Sequence, residues 1–179
     1  QNPADASLAG IEFIHQELNL FNNLSVAENI AINRFPQLGG TPFINKKQLL
    51  KDTSLLLQSL NMDFTPGTLV EALSPGERQL VEIATALSTN ANILLFDEPT
   101  TSLTAKETEN LFAILRRLQS EGKSIIYISH ILGDVQELAD EVVILRDGEV
   151  MGGGPIADFP INKMINLMVG REIENIFPA

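Results

Sequence analysis

Ile93-Leu94-Leu95-Phe96-Asp97-Glu98-Pro99 is the stretch that decides the fold: four apolar residues, two carboxylates, then a proline. A short continuous apolar run of this kind suits a parallel strand buried on both faces. Just downstream, Thr104-Ala105-Lys106-Glu107 is a capping box that starts a helix, with Leu111, Leu115 and Leu118 on one face and Gly122 as its stop. Ser124-Ile125-Ile126-Tyr127-Ile128-Ser129 follows as the next strand and ends in His130. Strand, helix, strand is a βαβ unit, which implies a right-handed crossover and a mostly parallel sheet. The fold class is therefore α/β.

Working outward, Ile11 to Ile14 reads as another buried strand, ending in His15-Gln16. Ser25-Val26-Ala27-Glu28 is a second capping box and predicts a helix start. Phe35 to Phe43 carries two Pro and two Gly and reads as a loop, whereas Lys46 to Leu60 has leucines at 49, 50, 55, 56, 57 and 60 at helical spacing. Near the end, Val142 to Leu145 and Glu149 to Met151 flank Asp147-Gly148, a strong hairpin signal.

Composition narrows the functional classes. Twelve basic against 23 acidic residues give a net charge of −11 over 179 residues, which argues against nucleic acid as a partner. The absence of cysteine removes disulfides and Cys-based metal sites, and two histidines are too few for a zinc centre. No apolar run reaches the ~18–20 residues of a membrane span. The chain begins at Gln1 with neither an initiator Met nor a signal-peptide pattern, and so reads as a piece of something longer.

In an open α/β sheet, ligands bind beyond the carboxyl ends of the strands. Three of the strands read here end in polar residues: Gln16, the pair Asp97-Glu98, and His130. Adjacent acids at a strand end can divide labour, one holding Mg²⁺ through oxygen and the other orienting a nucleophile. His15, by strand alternation, points away from whatever Gln16 addresses and reads as structural. A second constellation is Leu73-Ser74-Pro75-Gly76-Glu77, where Ser74 is an N-cap, Pro75 suits the first helical position and Glu77 closes a capping box. A helix N-terminus with a hydroxyl and a glycine has the physics of a phosphate site. An ordinary capped helix shares that pattern, and Glu77 repels an anion unless its carboxylate turns back onto the cap. Gly122-Lys123-Ser124 imitates the tail of a P-loop, but Arg117 stands where the first glycine belongs and a strand follows instead of a helix. No other window fits the phosphate-loop pattern.

Gln16, Leu73 to Glu77, Ile93 to Glu98, Thr101-Ser102-Leu103-Thr104 and His130 occur in the order found in ABC transporter ATPase subunits. They resemble, in turn, the Q-loop glutamine, the signature motif, Walker B with its catalytic glutamate, the D-loop and the switch histidine. The wording of His15-Gln16-Glu17-Leu18-Asn19-Leu20, Leu24 to Ile30 and Tyr127-Ile128-Ser129-His130 is similar to bacterial importers of simple sugars, which carry two ATPase domains in one polypeptide. Met168 to Glu174 resembles the end of the first of those domains. Departures are Pro75 and Glu77, where the general signature has Gly and Gln, and Thr104 in place of the D-loop aspartate.

That resemblance implies a P-loop NTPase core with an inserted helical subdomain, using ATP and Mg²⁺. Residues 1–16 and 90–151 would belong to the core and 17–89 to the helical subdomain, with 152–179 a helical segment leading towards a second ATPase domain. Asp97 would hold Mg²⁺ through water, Glu98 would polarise the attacking water, Gln16 would sense both, and His130 would contact the γ-phosphate. Ser74, Gly76 and Glu77 would meet a nucleotide held by the partner ATPase domain. The implied partners are that domain, membrane-spanning permease subunits and, indirectly, a periplasmic or extracellular sugar-binding protein, which places the protein peripherally at the cytoplasmic face of the membrane. The Walker A loop and the adenine-stacking aromatic would precede Gln1, so the fold is expected to be incomplete at its N-terminus and the isolated chain to be inactive and prone to self-association. The rival class is a soluble ABC ATPase acting in DNA repair or on ribosomes. Too few residues separate Gln16 from Leu73 for the coiled-coil arm of the repair type, and the acidic charge does not suit a ribosome-binding surface.

Overall fold

The computed structural model describes residues 3–32, 34–38, 43–89 and 91–170. The loop expected around Gly39 and Gly40 and the motif from Arg171 to Glu174 lie outside them. The chain divides into two compact units, Gln1–Ile128 and Ser129–Ala179.

The first unit is built on three parallel strands, β1 (Ile11–Ile14), β2 (Ile93–Asp97) and β3 (Ser124–Ile128), in the order β1-β2-β3. Helix α5 (Ala105–Ser120) is the crossover between β2 and β3. Thr104 caps it with the expected box, and Gly122, at φ 85°, stops it two residues before β3 begins. The Gly122-Lys123-Ser124 tripeptide is thus a helix exit leading into a strand.

Register puts Ile14 beside Phe96 and Tyr127, and Phe13 beside Leu95 and Ile126. Ile14, Leu94 and Phe96 share one face, and each is no more than 1% exposed. Phe13, Ile126 and Ile128 lie on the other face and are 38%, 49% and 45% exposed. The strand at the centre is therefore buried on one face only, against the expectation of burial on both. An unbroken apolar run records that a strand avoids water without recording which segment covers each face.

The helical part of this unit comprises α1 (Pro3–Leu8), α2 (Val26–Ile30), α3 (Lys46–Ser59) and α4 (Pro75–Leu87), with a 3₁₀ turn at Val70–Ala72. Ser25 and Ser74 cap α2 and α4 through complete capping boxes. In α3 the buried positions are Leu49, Thr53 and Leu57, one residue every four, while Leu50 and Leu55 face solvent. The leucine stripe thus exceeds what the helix buries. Asn110 Nδ2 on α5 donates to Leu60 O at 2.8 Å and Arg117 Nη1 to Ser59 O at 2.7 Å, satisfying carbonyls where α3 ends.

The second unit packs α6 (Leu132–Leu138), the hairpin β4 (Glu141–Arg146) and β5 (Glu149–Pro155), a 3₁₀ turn at Ile156–Asp158, and α7 (Ile161–Val169). Its core is Ile144, Phe159 and Met164, with Leu132, Val135 and Leu167 against them. Asp147 and Gly148 turn the hairpin with φ 52° and 82°, the two positive values a type I′ turn requires. Arg146 Nη1 donates to Leu167 O at 3.0 Å, tying the hairpin to the last turn of α7.

Candidate functional site

Asp97 is the last residue of β2 and is half-buried. Glu98 follows with φ 48°, in the left-handed region that residues other than glycine rarely enter. Its backbone N–H still donates to Ile128 O at 2.9 Å, so the β2–β3 ladder runs one residue past the strand before the chain turns. Conformations of this kind cost of order 1–3 kcal/mol and collect at functional positions. The segment beyond is held to Glu98: Thr101 Oγ1 donates to Glu98 O at 3.1 Å, and Leu103 N to Thr100 O at 3.1 Å. Thr100 is 6% exposed, with its hydroxyl 3.4 Å from Tyr127 Oη on the neighbouring strand.

Gln16 lies two residues beyond β1, on the strand that flanks β2 on its other side, and is exposed. Parallel pairing of Ile14 with Phe96 thus sets the Gln16 segment and the Asp97-Glu98 pair at the same end of the sheet. His15 is exposed, with its ring 4.3 Å from that of Phe13 between centroids. His130 falls in the second unit, two residues past β3 and immediately before the residue that caps α6, and is exposed. The Gln16, Asp97 and Glu98 positions belong to the first unit, and His130 belongs to the second.

At the start of α4, Ser74 Oγ accepts from Glu77 N at 3.2 Å, while the Glu77 carboxylate accepts from Ser74 N at 2.8 Å. Glu77 is turned back onto the cap, the geometry in which it least opposes an anion. Ser74 itself is exposed. Three residues shape this region through contacts that no local sequence pattern announced. Arg78 braces the turn from below, its Nε donating to Leu73 O at 3.1 Å and its Nη2 to Glu71 O at 2.9 Å. Glu82, further along α4, reaches the segment around Gln16: it accepts from the backbone N–H of Asn19 and lies in the field of His15. Partial burial nevertheless pushes its carboxyl above the ordinary carboxylate range, against both of those influences. Glu107 is the third, with its carboxylate lying across the α carbon of Gly76.

A parallel sheet with an acidic pair at the end of its central strand and a capped phosphate-type turn on a separate helix has close counterparts. The family profile described as ABC transporter matches residues 2–101. A putative ribose/galactose/methyl galactoside import ATP-binding protein of Burkholderia ambifaria is 47% identical over 174 residues, covering 97% of this chain and 33% of its own length. A ribose import ATP-binding protein of Clostridium perfringens is 45% identical over 97% of the chain and 34% of its own length. Among solved structures, a nucleotide-free ATP-binding cassette from an ABC transporter superposes with a TM-score of 0.75 at 21% identity, covering 93% of this chain and 71% of that one. The chain belongs to the ABC transporter family, and its fold is that of the P-loop ATP-binding cassette. It spans about a third of the length of these curated relatives.

Proposed function

We propose that this chain is part of the ATP-binding subunit of an importer for a simple sugar, and that ATP hydrolysis in the complete subunit drives the import. The observation that carries this reading is the identity of 42% to 47% across nearly the whole chain with ribose and galactose import ATP-binding proteins. Residues 1–16 and 90–151 serve as the ATPase core and 17–89 as the helical subdomain that docks on permease subunits, with 152–179 leading towards a second ATPase domain. As part of such a subunit the chain acts peripherally at the cytoplasmic face of the membrane; no helix among the described residues is long and apolar enough to cross one. The sugar-binding protein is an indirect partner, reached through the permease.

The residues at the end of β2 suit the cofactors. Asp97 and Gln16 offer hard oxygen donors, the chemistry Mg²⁺ takes when nucleotide phosphates complete its shell. When bound, Mg²⁺ neutralises charge on the β- and γ-phosphates. Glu98, fixed by its backbone bond to Ile128, orients and polarises the attacking water. His130 contacts the γ-phosphate, and Ser74 with Gly76 and Glu77 presents the start of α4 to a nucleotide held by the partner domain. Phosphoryl transfer depends mostly on positioning and charge, so a site split between two domains makes hydrolysis report their closure.

No window of the chain supplies the glycine-rich phosphate loop. The 179-residue chain alone therefore binds ATP·Mg²⁺ weakly and turns none over, and micromolar affinity in a calorimetric titration would overturn that statement. In the complete subunit, Glu98→Gln abolishes turnover while ATP stays bound. Normal hydrolysis by that variant would remove Glu98 from its role.

A further inference from the structure

Gly76 is the second residue of α4 and is buried. A β carbon placed on it would lie 2.7 Å from Glu107 Oε2, 3.0 Å from Oε1 and 3.1 Å from Cδ. The Glu107 carboxylate thus occupies the space over Gly76. It is not a loose side chain, because Oε2 accepts from Thr104 N and from Thr104 Oγ1, both at 2.7 Å. A carboxylate with two fixed donors cannot swing aside without giving up the cap of α5.

Successive local bonds brace the chain segment between that contact and the acidic pair. Glu98 O holds Thr101, Thr100 O holds Leu103, and Thr104 holds Glu107. Glu107 in turn meets Gly76, in the turn that carries Ser74. We propose that Glu107 is a positioning residue that locks the Ser74–Glu77 turn to the Glu98–Thr104 segment, so that a phosphate seated at that turn sets the orientation of Glu98. The proposal rests on the roles given above to Glu98 and the Ser74 turn. Those roles place the two groups on different nucleotides, one held by the partner domain and one by this domain. Glu107 therefore links the two composite ATP sites from within a single domain. It also gives Gly76 a second reason to be glycine, since any side chain there would displace the carboxylate.

The test measures steady-state ATP hydrolysis and unfolding midpoints in the full-length ATPase for Glu107→Ala, Glu107→Gln, Glu107→Asp, Gly76→Ala and the Gly76→Ala/Glu107→Ala pair. Glu98→Gln serves as the control for the underlying reading. Glu107→Ala should lower kcat about tenfold with KM for ATP within about twofold, since an ångström of misplacement is enough for such a loss. Glu107→Gln keeps an acceptor for Thr104 and fills the space over Gly76, so kcat should stay within about threefold of the parent. Gly76→Ala should lose activity, and the pair should be no worse than the poorer single variant, because both remove the same contact. If Glu107→Ala does not fold, Glu107→Asp carries the test: it retracts the carboxylate from Gly76 and should lower kcat in the same way. Unchanged kcat with a lowered unfolding midpoint would make Glu107 a helix cap only and overturn the proposal, as would fully additive losses in the pair. Full turnover by Glu98→Gln would instead remove the reading beneath it, and that control separates the two failures.

Discussion

Glu82 shows how much a single residue can hide. On the sequence it is one acid in an amphipathic helix, but in the structure it is partly buried against the segment that carries Gln16, and burial raises its carboxyl pKa above the ordinary carboxylate range. An acid whose folded-state pKa is raised contributes most to stability below its unfolded pKa and loses that contribution as pH climbs through the folded value. Replacing Glu82 with Gln removes the loss. The difference in unfolding midpoint between Glu82→Gln and the parent should therefore grow as pH rises from about 4 towards 7, in favour of the variant. A difference that stays flat across that range would show that the carboxyl titrates alike in the folded and unfolded chains. Glu98 makes the complementary point, because its position at a strand end can be read from Pro99 and the apolar run before it. Its left-handed backbone cannot be read that way, and neither can its ladder bond to Ile128 on another strand.

At the scale of elements, the capping boxes were the most legible features. Ser25, Ser74 and Thr104 each start a helix where the sequence places them, because a cap uses only residues three positions apart. What α2 does next was not legible. Asn29 is 3% exposed and accepts from Phe21 N at 2.8 Å, while its Nδ2 donates to Phe21 O at 3.1 Å and Ser25 O at 3.0 Å. This one amide closes the loop between Gln16 and α2, and those partners lie four to eight residues away in the sequence. Asn29→Ala removes the bonds to Phe21 N and O at a part-buried position, so it should cost about 1–2 kcal/mol in chemical denaturation. A loss under about 0.5 kcal/mol would mean that water replaces the amide there. Helices α1 and α6 carry no strong signal: each is a turn or two long, and Ile131 starts α6 without a side-chain cap.

Over the whole molecule, apolar surface is the feature with consequences. In the first unit one face of the sheet leaves Phe13, Ile126 and Ile128 in contact with solvent, and in the second the hairpin exposes Val143, Leu145 and Val150 at 64% to 67%. Contiguous exposed patches and open strand edges favour association. Sedimentation of the 179-residue chain should show a mean mass that increases with concentration, and a strictly monomeric profile at high concentration would count against it. Charge opposes association through repulsion at −11, so added salt should strengthen it.

The sequence by itself determined the α/β class, the helix starts at Ser25, Ser74 and Thr104, the hairpin turn and the order of motifs that places the chain in its family. Each of these rests on residues a few positions apart, or on a linear order that needs no folding to be read. Only the tertiary structure decided which sheet face is covered, that Glu98 sits in a strained backbone, that Glu82 reaches the Gln16 segment and that Glu107 lies over Gly76. Those facts depend on which segments pack together, and packing brings side chains together across tens of residues with no local pattern to announce it. Gly76 is the clearest case: its neighbours in sequence suggest a glycine for the approach of a phosphate, and its neighbour in space is a carboxylate from another helix.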